Sequence, residues 1–274
     1  MTFDLREIQR ILSTTRRAVE QYHMIEEGDR IAVGVSAGKD SLTLLCALAE
    51  LRRFLPDSFE LYAITIDMGF KEGFDLSGVE ALCTQLAIPY RVVKTEIAEI
   101  IFDVRKEPNP CSLCARMRRG ALHDAAKELG CNKLALGHHY DDVVETFMLN
   151  LFFEGRIGCF QPVTYLSRKD LIMIRPLIYT EEKEITRFAR RAVLPVCKSP
   201  CPADKHTERE RMKDYLAIFD REHPGLYNRI AGAIARGGVD GFEEYSKDKI
   251  VKKRTKTTTA EENSADVEKG GVPK

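Results

Sequence analysis

Residues Ile31-Ala-Val-Gly-Val-Ser36-Ala-Gly-Lys-Asp-Ser41 run straight into Leu42-Thr-Leu-Leu-Cys-Ala-Leu48, and this passage limits the possible folds more than any other. An apolar, β-branched run ends in a small-residue loop, after which the chain restarts as an apolar helix. That order puts a row of backbone N–H groups at a helix N-terminus, where phosphate binds. The loop has neither the GxxxxGK[ST] spacing of a Walker loop nor the GxGxxG of a dinucleotide fold. The passage therefore predicts an α/β protein that handles a nucleotide. Without a ligand it reads as a glycine-containing turn into a core helix.

The rest of the chain extends this pattern. Aliphatic or β-branched runs at 30–35, 61–67, 90–94 and 133–137, with a weaker one at 171–174, alternate with helical spacing at 40–54, 76–86, 113–129 and 142–153. Such alternation predicts a doubly wound, mainly parallel five-stranded sheet with right-handed crossovers. Ligands of these sheets sit beyond the carboxyl ends of the strands, where Ser36, Asp67 and Gly137 would converge. An amphipathic helix at 4–23 precedes the sheet, and helices at 181–191, 208–219 and 226–235 follow it. From residue 246 the chain turns Lys-, Thr- and Glu-rich, as a disordered tail does. The expected organisation is an N-terminal helix (1–26), a nucleotide-binding α/β domain (27–180), a helical region with the later cysteines (181–245) and a tail (246–274).

Composition narrows the function. A hydrophobic share of 44% supports one substantial core. No run of eighteen apolar residues and no signal peptide is present, so a cytosolic protein with no membrane partner is expected. In that compartment the eight cysteines read as metal ligands, redox groups or core filling rather than disulfides. Formal net charge is zero, so a nucleic-acid partner needs a local basic face. Acidic residues dominate 39–80, and basic residues dominate 183–213.

Pro110-Cys111-Ser-Leu-Cys114 enters a helix carrying Arg116, Arg118 and Arg119. The spacing brings two thiols within reach of one metal, and the helix dipole with the arginines is expected to lower their pKa. Cys197-Lys-Ser-Pro-Cys201 supplies partners far along the chain, while Cys46, Cys83, Cys131 and Cys159 fall singly in or beside apolar runs, as core residues do.

The loop at Ser36 to Ser41 resembles the SGGxDS signature of the PP-loop ATP pyrophosphatases, with Ala37 and Gly38 where that family usually has two glycines. A left-handed alanine costs about 1–2 kcal/mol, so either residue 37 is not left-handed or nucleotide binding is weakened. Four further segments sharpen the likeness: Met24-Ile-Glu-Glu-Gly-Asp-Arg-Ile31, CSLCxRxRRG from Cys111 to Gly120, LALGHHYDD from Leu134 to Asp142, and IRPL from Ile174 to Leu177. In order, they are similar to the tRNA 2-thiocytidine synthetase family. The resemblance implies ATP with Mg2+, a [4Fe-4S] cluster on three cysteines, and a tRNA anticodon-loop cytidine as substrate. It implies that Ser36, Ala37, Gly38, Lys39, Asp40 and Ser41 hold the phosphates, that Asp40 and Asp142 hold magnesium, and that Asp67 and Gly137 frame the adenosine. Glycine suits that last place because a side chain would block close backbone approach. Cys111 and Cys114 would be cluster ligands, with Cys201 as the third and Cys197 as its alternative.

The chemistry makes each part necessary. The C2 oxygen of cytosine is a poor leaving group, so ATP must first convert it to an adenylate, and the loop N–H groups with Lys39 would offset the charge developing on pyrophosphate. A sulfur nucleophile, from sulfide or a desulfurase-derived persulfide, then displaces AMP; cysteines on an open cluster would serve that delivery. Asp40, Lys39, Cys111 and Cys114 are thus the expected catalytic residues. Phosphate contacts would come from among Arg116, Arg118, Arg119, Arg187, Arg190, Arg191, Lys205 and Arg209. A homodimer is compatible with this reading. Helix capping competes with magnesium for Asp141 and Asp142. Open alternatives are a uridine thiolase or amidotransferase-type enzyme of the same loop class, and a zinc-bound RNA-binding module without turnover.

Overall fold

The computed structural model describes residues 6–70, 75–106, 110–197, 201 and 208–244. Six strands form one sheet: β1 (Asp29–Gly34), β2 (Phe59–Asp67), β3 (Tyr90–Lys94), β4 (Lys133–Ala135), β5 (Val163–Leu166) and β6 (Leu171–Ile174). Their spatial order is β3-β2-β1-β4-β6-β5. All neighbours pair in parallel except β5, which lies antiparallel to β6 on the edge. The five expected strands are present, and β5 is the sixth. Its Val-Thr-Tyr-Leu is only partly buried and lacks a full apolar face, so periodicity did not mark it.

Among the described residues eight α-helices flank the sheet: α1 (Gln9–Gln21), α2 (Lys39–Leu51), α3 (Ser77–Gln85), α4 (Pro110–Glu128), α5 (Tyr140–Phe153), α6 (Glu182–Arg191), α7 (Glu208–Glu222) and α8 (Leu226–Arg236). The first begins later than its amphipathic pattern suggested, after a short 3-10 turn at Arg6–Ile8. The expected tail at 246–274, Pro200 and Lys205 lie outside the described residues.

Strand alternation decides which helices share a face. Ile31, Val33 and Leu61 point into the larger core with α1, α2, α3 and α6. Ala32, Ile64 and Leu134 point to the opposite face, where α4 contributes Leu122, Ala125 and Ala126. Within the larger core α2 is buried on every side from Ser41 to Ala49, so it is an internal helix that anchors the preceding loop. A separate cluster of Val144, Met212 and Leu216 fastens α7 to α5.

At the amino edge of the sheet Lys133 Nζ lies 2.7 Å from Asp29 Oδ2 and 2.9 Å from Glu26 Oε2. Asn132 Nδ2 donates to Asp29 Oδ1 at 2.7 Å, and the Glu26 backbone N–H donates to Oδ2 at 2.7 Å. Because α2 follows β1 and α4 precedes β4 in parallel crossovers, the N-termini of both helices lie at the other, carboxyl edge.

Candidate functional site

Between β1 and α2 the chain makes a tight loop. Ala37 is left-handed, at φ 58°, which excludes the first of the two possibilities its sequence raised. Its methyl group is buried in the main core, so packing offsets part of the strain. Gly38 is extended and offers no side-chain cap to α2. Leu42 is the residue whose N–H bonds the Gly38 carbonyl, at 3.1 Å, which leaves the N–H groups of Lys39, Asp40 and Ser41 as the donors a helix N-terminus presents to an anion. Ser41 Oγ accepts from the Ser36 N–H at 3.1 Å and donates to the Gly38 carbonyl at 3.0 Å, holding the loop closed.

Ser36, Asp67 and Gly137 share the carboxyl edge of the sheet. Gly34 is in register with Ile64, and Val33 with Ala135, so Ser36 and Gly137 follow β1 and β4 while Asp67 ends the adjacent β2. Asp67 turns its Oδ1 to the Gly69 N–H at 3.0 Å. At Gly137 the close backbone approach is to the start of α2. A Cβ there would lie 3.1 Å from the Asp40 carbonyl carbon and from Ser41 N, so its missing side chain lets α2 pack against the end of β4.

Beside the loop is a network of charges. Lys39 Nζ contacts Asp40 Oδ1 at 2.8 Å and Glu182 Oε1 at 3.0 Å, and Glu182 Oε2 lies 2.7 Å from Lys213 Nζ. Burial opposes the Lys39 charge, yet the two carboxylates hold its pKa above the ordinary lysine value. Burial likewise opposes the Glu182 charge, but the two ammonium groups bring its pKa down to about 2. His139 lies among three carboxylates, 3.7 Å from Asp40, 3.7 Å from Asp141 and 3.5 Å from Asp142. Glu145 behind them is pushed up to about 8 by burial and by Asp142.

Asp141 and Asp142 serve as caps. Asp142 accepts from the His139 N–H at 2.9 Å in a capping box at the start of α5 and pairs with Arg209 at 2.9 Å. Asp141 accepts from the Glu182 N–H at 2.7 Å and so caps α6. Both Asp142 oxygens are thus engaged, one by the cap and one by the arginine. Arg209, one of the candidates for RNA contact, pairs with Asp142 and donates to Thr146 Oγ1 at 3.0 Å, with its side chain 40% exposed. Arg187 and Arg191 pair with Glu184 and Glu7 at the surface.

The cysteine pair opens α4 at the same carboxyl edge. Cys114 Sγ lies 3.6 Å from Met68 Sδ, one residue past the end of β2. Burial raises the Cys114 pKa, Arg118 opposes that shift, and the Cys201 and Cys111 thiols add to it. The thiol is therefore raised, not lowered as the arginines suggested, since its burial outweighs them. Cys114 thus has both Cys111 and Cys201 as electrostatic neighbours. Cys197 faces elsewhere: its thiol donates to the Asp75 carbonyl at 3.1 Å, and its backbone N–H donates to the Ala37 carbonyl at 3.0 Å. Three reduced thiols around Cys114 are the soft donor set an iron–sulfur cluster takes, although no three His, Cys, Asp or Glu side chains among the described residues are gathered as a metal site. Cys46, Cys83 and Cys131 are buried, as expected, and Cys159 is half-buried.

Sequence reasoning missed Glu182, Lys213 and Glu145. No motif contains them. The only trace was the basic bias of 183–213, which the fold partly turns inward.

Residues 9–217 match the family model of the PP-loop domain. The chain is 43% identical to a tRNA-cytidine(32) 2-sulfurtransferase of Pelobacter propionicus over 83% of its length and 85% of the relative's. It is 42% identical to the protein of the same name from Geobacter metallireducens, over 85% of the chain and 91% of the relative. Among solved structures it is similar to the U34-tRNA thiolase NcsA of Methanococcus maripaludis with its [4Fe-4S] cluster. That match has a TM-score of 0.68 and 27% identity, covering 84% of this chain and 79% of that one.

Proposed function

The chain belongs to the PP-loop family and, within it, to the tRNA-cytidine 2-sulfurtransferases, and from that premise we propose how its residues divide the work of replacing the C2 oxygen of a tRNA cytidine with sulfur. It is an ATP-dependent tRNA thiolase. The relatives' names give position 32 as the target cytidine, which lies in the anticodon loop as the sequence implied.

ATP seats its phosphates on the N–H groups of Lys39, Asp40 and Ser41, with the Lys39 ammonium against the charge that develops as pyrophosphate leaves. Asp40, half-exposed at that helix end, is the carboxylate suited to Mg2+, and His139 stands beside it. The attacking atom is the cytidine C2 oxygen, and AMP becomes the group that sulfur displaces. Cys111, Cys114 and Cys201 are the ligands for a [4Fe-4S] cluster, which when bound supplies the sulfur-transfer chemistry. Sulfide or a persulfide is the donor class, the tRNA is held by exposed arginines of α4, and the protein works in the cytoplasm. No helix among the described residues is long and apolar enough to cross a membrane.

One observation carries this reading. The loop follows β1, and Cys114 touches Met68 just past the end of the adjacent strand β2, so both lie at the same carboxyl edge. A nucleobase entering there meets both.

The test is anaerobic purification, an absorbance spectrum and metal analysis, then reaction with ATP, sulfide and tRNA and mass analysis of the nucleosides. The expected outcome is an iron-containing coloured protein that forms AMP and 2-thiocytidine, with the colour lost in C201S and kept in C197S. Colourless protein with one zinc and no ATP turnover overturns the reading, and 2-thiouridine as product overturns the substrate.

A further inference from the structure

Glu182 joins two ammonium groups beside the nucleotide loop, and nothing in the loop motif requires it. It is the first residue of α6, its backbone is held by Asp141 of α5, and its carboxylate reaches Lys39 of α2 and Lys213 of α7. Four helices thus meet at Glu182. Partly exposed ion pairs usually add little stability, so stability alone does not explain the convergence.

We propose that Glu182 is a positioning residue for Lys39, steering one N–H of that ammonium onto the phosphate chain of the bound nucleotide while Lys213 neutralises the carboxylate. This rests on the reading of the loop as an ATP site. An ammonium has three N–H donors. Lys39 Nζ reaches three oxygens, Asp40 Oδ1 at 2.8 Å, Asp40 Oδ2 at 3.1 Å and Glu182 Oε1 at 3.0 Å, so a phosphate takes its N–H by displacing the longer of the two Asp40 contacts. A lysine stem has several rotatable bonds, and a single neighbour such as Asp40 leaves the head free to swing. The second carboxylate fixes it from another helix. An unneutralised carboxylate this close to a polyphosphate would repel it, and the contact from Lys213 at 2.7 Å removes that repulsion. Glu182 acts through Lys39 and does not itself meet the reacting atoms.

Equilibrium binding of a non-hydrolysable ATP analogue and of AMP, each with magnesium, tests the proposal on the full chain. E182Q, nearly isosteric, is expected to weaken analogue binding about tenfold, the loss of one well-aligned charge-assisted contact, while AMP affinity stays within about twofold. On a K39A background, E182Q is expected to change analogue binding by less than about twofold, since the route through Lys39 is already gone. K213M, which leaves α6 intact, is expected to weaken the analogue several-fold and spare AMP, and it decides the matter if E182Q does not fold. Unchanged or tighter analogue binding by E182Q overturns the proposal, as does an equal loss for AMP or full additivity with K39A. A wild-type protein that does not bind the analogue overturns the ATP site itself, a result distinct from a wild type that binds and an E182Q that binds equally well.

Discussion

At the amino edge of the sheet Lys133 and Asp29 meet at 2.7 Å with side chains 2% and 3% exposed, whereas at the carboxyl edge Lys39 and Asp40 meet at 2.8 Å with side chains 29% and 32% exposed. Both are lysine–aspartate contacts at the ends of the central strands. The first is closed: Asn132, the Glu26 N–H and the Glu26 carboxylate complete its hydrogen bonding and leave no room for a ligand. The second is open, with the N–H groups of a helix start beside a partly exposed ammonium. Burial turns the same chemical pair into a structural tie at one edge and a binding group at the other, because water and ligands compete only where they can enter.

The largest expected effect tests the closed pair. K133M leaves Asp29 buried without its cation and is expected to destabilise the protein by about 3–5 kcal/mol in denaturant unfolding, while the folded fraction keeps its affinity for the ATP analogue. K39M is expected to do the reverse, with stability within about 1 kcal/mol and analogue binding severely reduced. A large stability loss in K39M would erase the contrast.

A pH titration sharpens it next. Glu145, buried behind the open site, has a folded pKa of about 8 against an ordinary value of 4.5. The folded state keeps a proton that the unfolded chain releases, so this contribution is full below about pH 4.5 and declines as pH rises toward 8. The slope is at most about 1.4 kcal/mol per pH unit. Urea unfolding across that window is expected to give a flatter pH profile for E145Q than for the wild type; parallel profiles would remove Glu145 from the site's pH response.

The smallest effect concerns Ala37. Glycine would relieve about 1–2 kcal/mol of left-handed strain but would give up a buried methyl group and add freedom to the unfolded chain, together of similar size. Thermal unfolding of A37G is therefore expected to stay within about 1 kcal/mol of wild type. A clear stabilisation would mean that the loop carries strain which packing does not offset.

Five of the six strands and all eight helices were legible because hydrophobic periodicity is a local signal, written within each segment. β5 was not, since an edge strand needs only one covered face and its four residues carry no full alternation. Within the site, the loop from Ser36 to Ser41 and the Cys111–Cys114 pair were legible for the same local reason. The approach of Gly137 to the backbone of α2 was not legible, because it depends on how α2 docks against the end of β4. Nor was the pairing of Arg209 with Asp142, because a sequence shows that an arginine is charged and not which way its helix faces.

The sequence by itself determined the parallel strands, the small-residue loop leading into an apolar helix and the spacing of the Cys111–Cys114 pair, all of which depend on residues close together in the chain. Only the tertiary structure decided that Glu182 faces both Lys39 and Lys213, that Asp142 caps α5, and that the Cys197 thiol donates to the Asp75 carbonyl. Those pairings depend on how helices from distant parts of the chain dock on the sheet, and electrostatic contacts fall off over a few ångströms, so no local pattern records them.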